Sequence, residues 1–479
     1  MAEYPGEWVS DALLAGSPDD PCLWMGRPVT RGELVRLVAD RQLLLESAGL
    51  RPGGTVAIRL PPSLEYVAVL LAAWRAGAQV SLLDHRLVAR EVDNALDRLA
   101  PQVVVTADSV NGAPMAGYAH AVARAEARPG GRPAATPHVL IQLSSGSTGP
   151  SKVIARTAAA LLAELGRYAQ FEEYPRRGER IVVLASMVHV LGLVGGLLHG
   201  LHAGVELVFP DRLTADGIRA AVAAGSEPTT ILGVPFHAEL LATGSAHLPP
   251  LRRMVVAGEL VRPWVPAKFT AAYGVPLGTM YGMTELGVIA TDLSGRDAPA
   301  YQPAPGMSLR VADGELLVRT PASPYIGLAD EARWAGGWLR TRDAATIDPA
   351  TGLVTILGRL DSQISVGGLK VDLTEVEQAL CALPGVDSAV VTFDATIEAY
   401  LVLRDGGRIS DVESALAEQL SAYKRPRRLR VLSALPRTAT GKISRDRAVL
   451  RAAGDAQPVV AAGDAVVAAG DAVSQRRTP

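Results

Sequence analysis

A run of small hydroxylated and glycine residues, Ser144-Ser145-Gly146-Ser147-Thr148-Gly149-Pro150-Ser151-Lys152, follows an apolar stretch at 139–143 that reads as a strand. Its composition suits an anion cradle. Glycines let backbone N–H groups turn toward a phosphate, the Ser and Thr hydroxyls add donors, and Lys152 adds a positive charge. The spacing is not that of a Walker loop, whose lysine directly follows the second glycine. Taken alone, the run reads also as a flexible Ser/Gly surface loop. His199 and His202 are spaced like ligands on one helix face, yet no third ligand is evident, and a partly buried helix accounts for them better. Cys22 and Cys381 belong to no metal-type spacing, so a zinc site or disulfide framework is not expected.

The elements that must position such a loop alternate. Thr30 with Glu33 forms a capping box opening a helix to Ala48, and 56–60 reads as a strand, with a second helix from Ser63. Further strands are expected at 103–106, 139–143, 181–184, 205–209, 230–232 and 254–256, with helices between most of them, which is an α/β pattern. From about Gly306 helices thin out, and strands at 315–319 and 354–357 suggest a small β-rich subdomain. After Gly358 the pattern becomes compact α+β, with helices opening at Thr374 and Ser410, each followed three residues later by glutamate, and strands at 388–393 and 399–403. The expected fold is therefore α/β: a large multi-subdomain N-terminal domain, two α/β layers plus a small β-rich subdomain, and a smaller mobile α+β C-terminal domain. Boundaries fall at 1–358 and 359–451. Residues 452–479 repeat AAGDA, a low-complexity tail expected to be disordered.

Composition narrows the function. The 479 residues carry 47 Lys and Arg against 49 Asp and Glu, so the net charge is −2 and no domain-scale basic excess points to nucleic acid. The most apolar stretch, 190–198, is too short to span a bilayer, and residues 1–8 lack a secretory pattern. A soluble cytoplasmic protein acting on small molecules is expected.

Downstream of the loop come Tyr281-Gly282-Met283-Thr284-Glu285, Gly337-Trp338-Leu339-Arg340-Thr341-Arg342-Asp343, Gly358-Arg359-Leu360-Asp361, Gly367-Gly368-Leu369-Lys370-Val371 and Pro436-Arg437-Thr438-Ala439-Thr440-Gly441-Lys442. In this order the set resembles the adenylate-forming superfamily: acyl- and aryl-CoA synthetases, luciferases and stand-alone or peptide-synthetase adenylation enzymes. The resemblance runs from about Ala12 to Arg451. It implies a ligase that joins a carboxylate to the α-phosphorus of ATP, releases pyrophosphate, and passes the acyl group to a thiol of CoA or of a carrier protein's phosphopantetheine. Two anions must meet, and placed cations and fixed donors offset their repulsion.

By that resemblance Ser144, Ser145, Gly146, Ser147, Thr148, Gly149 and Lys152 hold the β and γ phosphates, Glu285 ligates Mg²⁺, and Thr284 bonds the α-phosphate. Asp343 takes the ribose hydroxyls with Arg359 as its partner. Tyr281, beside Gly282, lies on the adenine face, with Gly258 and Glu259 closing the other side. Lys442 bridges the carboxylate and the α-phosphate during adenylation. Asp361 is the hinge, and Gly368 and Lys370 face the pantetheine tunnel. Read individually, each is an ordinary surface charge or packing residue.

Members that activate α-amino acids carry an Asp after the strand at 181–184; this chain has Ser186-Met187-Val188-His189 there. His189, Val190, Leu193, Val234, Phe236, Gly258 and Met283 would then line a site for an aryl or other non-amino carboxylic acid. His189 also reads as a satisfied core histidine. Lys424, Arg425, Arg427, Arg428 and Arg430 would serve CoA phosphates or an acidic carrier protein, or form a solvated loop. An amine acceptor, giving an amide ligase, and a non-catalytic nucleotide-binding member of the fold stay open. Ser151, Val153, Arg342 and Leu373 depart from the family pattern; Arg342, in place of glycine, could pair with Asp343 and weaken ribose binding, and its effect stays open.

Overall fold

The computed structural model describes residues 6–112, 115–143, 152–262, 264–327, 332–360, 362–404, 406–436, 443–455 and 460–461. The loop residues Ser144 to Ser151, Asp361, expected to be the hinge, and Lys442 lie outside them. Two compact units result, divided between Asp372 and Leu373.

Two sheets organise the first unit. One holds 14 strands and contains a parallel array in which Arg180–Val183, Thr229–Gly233, Leu251–Ala257 and Leu277–Met283 are successive neighbours. Gly287–Asp292 then pairs antiparallel with Leu277–Met283, and the sheet continues through Ala300–Pro303 into Val354–Arg359, Trp338–Ile347 and Glu315–Arg319. The expected β-rich subdomain is thus a continuation of the α/β sheet. The second sheet has seven strands, running from Tyr325–Ile326 through Val153–Arg156, Leu140–Leu143, Gln79–Leu82 and Thr55–Arg59 to an edge hairpin of Val103–Asn111 and His120–Ala127.

The helix Leu64–Arg75 is apolar on nearly every side, and residues 65–74 are all buried, as a helix without a polar face must be. Ser63 caps it by accepting the Tyr66 N–H, and Trp74 Nε1 donates to Val139 O at 2.8 Å, tying it to the second sheet. Thr30 likewise caps Arg31–Ser47 through the Glu33 N–H. The apolar stretch at 190–198 forms a π-helical segment, Leu191–Leu198, continued by the helix His199–Ala203.

The second unit is a four-stranded sheet, Val386–Asp394, Thr396–Leu403, Arg428–Val431 and Val460–Ala461, with helices Leu373–Cys381, Ile409–Gln419 and Arg447–Asp455. The helix expected at Thr374 starts a residue earlier, so Thr374 lies inside it rather than at its N-cap, and the Glu377 carboxylate takes the Val391 N–H and the Arg445 guanidinium. Nor does Ser410 cap its helix, which begins after Arg408. Residues 452–455, assigned from composition to the disordered tail, instead complete Arg447–Asp455, a helix whose Leu450 is wholly buried. Among the described residues no helix is long and apolar enough to cross a membrane.

Candidate active site

In open α/β sheets, ligands bind beyond the carboxyl ends of the parallel strands. The residues singled out above gather there: Ser186 to His189 follow Arg180–Val183, Val234 follows Thr229–Gly233, Gly258 and Glu259 follow Leu251–Ala257, and Thr284 and Glu285 follow Leu277–Met283. They form four groups.

The first centres on Asp343. Its strand partner across the Trp338–Ile347 and Val354–Arg359 pair is Arg359, so pairing alone sets these side chains face to face. Arg359 donates to Asp343 Oδ1 at 3.1 Å, and Tyr281 donates to Oδ2 at 2.5 Å. Arg359 also reaches Thr341 O at 3.3 Å and Gln363 Oε1 at 3.2 Å. Burial first, then the Asp343 charge, hold the Tyr281 phenol far above its ordinary pKa, so it stays a donor. Arg342 does not compete. It adopts a left-handed conformation, φ 64°, which turns its side chain to Ala332 O at 3.1 Å while its N–H goes to Glu315.

The second group joins the loop lysine to the expected metal ligand. Tyr325 donates to Glu285 Oε1 at 2.8 Å, and Lys152 Nζ lies 5.6 Å from the centre of the same ring. The turn carrying Thr284 and Glu285 is anchored from behind. Glu164, fully buried and 2.5 Å from Arg156, accepts the Val288 N–H at 3.0 Å, and Arg167 donates to Leu286 O. Gly287 has φ 79°, and a Cβ there would meet the Glu164 carboxyl at about 2.1 Å, so only glycine admits this anchor. Neither Tyr325 nor Glu164 is signalled by the motifs; both reach the turn through strand and helix packing.

The third group is a latch within the first unit. In the hairpin of Gln363–Val366 and Leu369–Asp372, Gly368 N–H donates to Glu259 Oε1 at 2.7 Å and Lys370 Nζ donates to Gly258 O at 3.2 Å. A Cβ on Gly368 would strike Val234 Cγ1 at 2.4 Å. Although Lys370 is exposed as a residue, desolvation around its ammonium and the nearby Arg359 hold its pKa below its usual value, against the pull of Asp343, Glu259 and Glu285. Those influences link this group to the first two.

The fourth is His189. Its Nε2 is buried without a hydrogen-bond partner, and burial, outweighing the nearby Asp84 carboxylate, pushes its pKa down to about 4, so the ring is neutral at pH 7. The neighbouring chain is held by Tyr66, which donates to Met187 O at 2.8 Å, and by Gln142, which donates to Val188 O at 2.7 Å. Of the expected acid-site residues, Leu193 is wholly buried in the main core, Val190 and Met283 are half-buried, and Phe236 is 55% exposed at the start of Pro235–Leu241. His199 and His202 do not converge: His199 Nε2 bonds Pro175 O and His202 Nδ1 bonds Ala12 O. Of the basic residues in the second unit, Lys424 pairs with Glu375 and Arg428 with Glu398.

Among the described residues no three His, Cys, Asp or Glu side chains cluster to cage a metal. Magnesium does not need such a cage. It is commonly held by one or two carboxylates, water and substrate phosphates, and Glu285 fits, since its Oε2 has no partner among the described residues.

The profile of the AMP-binding enzyme family matches residues 11–323, and that of the AMP-binding enzyme C-terminal domain matches 375–442. A p-hydroxybenzoic acid–AMP ligase of Mycobacterium marinum is 29% identical over 501 aligned positions, covering 94% of this chain and 69% of that protein. A feruloyl-CoA synthase of an Amycolatopsis species is 28% identical, covering 87% and 93%. Among solved structures, an o-succinylbenzoate CoA synthetase of Bacillus subtilis superposes with a TM-score of 0.78 at 22% identity, over 91% of this chain and 97% of that one. With both profiles in order along a fold that sets Gly258, Glu259, Thr284 and Glu285 at the strand ends, the chain belongs to the AMP-binding enzyme family, within the adenylate-forming superfamily.

Proposed function

We propose that the protein is an ATP-dependent, AMP-forming acid–thiol ligase. It activates an aryl or other non-α-amino carboxylic acid as an acyl-adenylate and then transfers the acyl group to a phosphopantetheine thiol, of CoA or of a carrier protein, in specialised metabolism. The observation that carries this reading is that Tyr281, Asp343 and Arg359 meet on the fourteen-stranded sheet while the turn after one of its parallel strands presents Glu285 to Tyr325, beside Lys152, on the neighbouring sheet. Support for an aryl acid comes from the named relatives, which act on p-hydroxybenzoate and ferulate, and from the neutral His189.

In this reading Asp343, its charge balanced by Arg359, accepts the ribose hydroxyls, and Tyr281 stays protonated against the base. Lys152 and the preceding loop take the distal phosphates. Glu285 would hold magnesium, which neutralises phosphate charge when bound. Thr284 donates to the α-phosphate, and Lys442, on the smaller domain beyond the hinge at Asp361, bridges the two reacting anions as charge shifts to pyrophosphate. Gly258, Gly368 and Lys370 border the path of the incoming thiol.

Acid-dependent exchange of labelled pyrophosphate into ATP, run over a panel of aryl and aliphatic acids, tests the reading. Exchange with at least one acid, with its adenylate identified by mass, is expected. Exchange with none would leave a nucleotide-binding protein without turnover. Adding CoA, a carrier protein bearing free phosphopantetheine, or an amine to the loaded enzyme then identifies the acceptor. Lys442→Ala is expected to lower exchange by about 10² to 10³, as for loss of one transition-state donor; undiminished exchange would contradict its role.

A further inference from the structure

Tyr325 lies on a two-residue strand at the edge of the seven-stranded sheet, opposite Ile154 of Val153–Arg156 and so beside Lys152. Glu285 belongs to the other sheet, on the turn after Leu277–Met283. The phenol thus spans the gap between the two sheets where the Ser/Gly loop rejoins its strand. It is firmly seated: only 7% exposed, packed with Ile154 and Leu339 against Met283, Leu286 and Trp334, with its own N–H on Ser323 Oγ and the adjoining Pro324 O accepting from Ala155. A buried tyrosine hydroxyl takes a partner, and this one takes a carboxylate oxygen. That choice has a chemical consequence. With Oε1 held, Glu285 can rotate little, and Oε2 is presented in one direction, as an outer hydrogen bond orients a ligand for its metal.

We propose that Tyr325 is a positioning residue for the nucleotide's magnesium: its hydroxyl orients the Glu285 carboxylate while its ring face sets the distance from that carboxylate to the Lys152 ammonium. The inference rests on the reading of Glu285 as the metal ligand. A cation over the ring and an anion on the hydroxyl make the phenol a spacer between the positive and negative groups that address one triphosphate.

The test measures ATP binding by calorimetry across a series of free Mg²⁺ concentrations, for the native protein, Tyr325→Phe and Glu285→Gln. Phenylalanine keeps the packed ring and its face toward Lys152 and removes only the hydroxyl. We expect Tyr325→Phe to raise the Mg²⁺ concentration for half-maximal tightening of ATP binding by about 10- to 100-fold, with metal-free ATP binding unchanged. A purely structural side chain would weaken binding equally with and without the metal, and that result overturns the proposal. If Glu285→Gln loses the magnesium dependence while Tyr325→Phe matches the native protein, the positioning role falls and the functional reading stands. If neither variant changes the dependence, the metal-ligand reading falls and takes the positioning role with it.

Discussion

Asp343 is 6% exposed and takes the Arg359 guanidinium on one oxygen and the Tyr281 hydroxyl on the other. Asparagine there would remove the charge Arg359 balances and turn one acceptor into a donor. A hydrogen bond to a charged group is worth about 1.5–3 kcal/mol, so Asp343→Asn should raise KM for ATP roughly 10- to 100-fold in pyrophosphate exchange, with a smaller change in kcat. An unchanged KM would show that the carboxylate does not meet the nucleotide. Arg342 calls for the opposite substitution. A non-glycine residue in the left-handed region costs on the order of 1 kcal/mol, partly returned by the bond to Ala332 O. Arg342→Gly should therefore leave urea stability equal or up to about 1 kcal/mol higher, with exchange within about two-fold of native; a large loss of activity would mean that the guanidinium reaches substrate. At this scale the sequence was legible wherever chemistry dictates residue type and spacing, as at Asp343, Arg359 and Glu285. Tyr325 was illegible because its partner lies 40 residues away in the chain, across two sheets. The direction of Arg342 was illegible too, because a side chain's direction follows φ, which adjacency to Asp343 does not reveal.

The turn that presents Glu285 depends on the helix Ala158–Tyr168, which supplies Glu164. Glu164 and Arg156 are 0% and 3% exposed, so removing one leaves the other's buried charge without its ion-pair partner, at a cost of about 3–5 kcal/mol. Glu164→Ala also frees the Val288 N–H. Its urea midpoint should fall accordingly, and exchange should fall further than the folded fraction alone explains. A double variant with methionine at both positions should recover most of the stability, because apolar pairs replace buried ion pairs at little cost, yet only part of the activity, since Val288 N–H still lacks its acceptor. Full recovery of both would make the pair a packing feature only. Elements of this kind were readable from alternation and from the caps Thr30 and Ser63, which are local. What the chain does not spell out is pairing: strands at 315–319 and 354–357 read as a separate subdomain, although hydrogen bonding through Ala300–Pro303 joins them to the large sheet. The Thr374 and Ser410 boxes failed for one reason, each helix having begun before the expected cap.

Three histidines of the first unit share one electrostatic condition that sets how its stability responds to acid. His199 Nε2 can only donate to Pro175 O, so Nδ1 is a bare, buried acceptor. His237 Nδ1 accepts the Val234 N–H, a bond that protonation would abolish. His189 keeps Nε2 buried without a partner. Burial pushes all three down to about 4 from an ordinary value of 6.5. Between those values the unfolded chain binds more protons than the folded one, so stability rises with pH across that window: it is fully present above about 6.5 and is lost progressively as pH falls toward 4. At about 1.4 kcal/mol per pH unit, each ring contributes at most on the order of 3 kcal/mol. His199 isolates the effect, because it packs against Tyr168 and Tyr174, away from the acid-site segment, and glutamine can still donate to Pro175 O. In urea unfolding at pH 7, 6 and 5, His199→Gln should start less stable at pH 7 through lost packing, yet decline less steeply toward pH 5 than the native protein. Parallel slopes would show that His199 does not titrate in this window, and the carboxylate pairs would not stand in for it there, since Asp84, held low by Arg86 despite its burial, loses stabilisation only at lower pH.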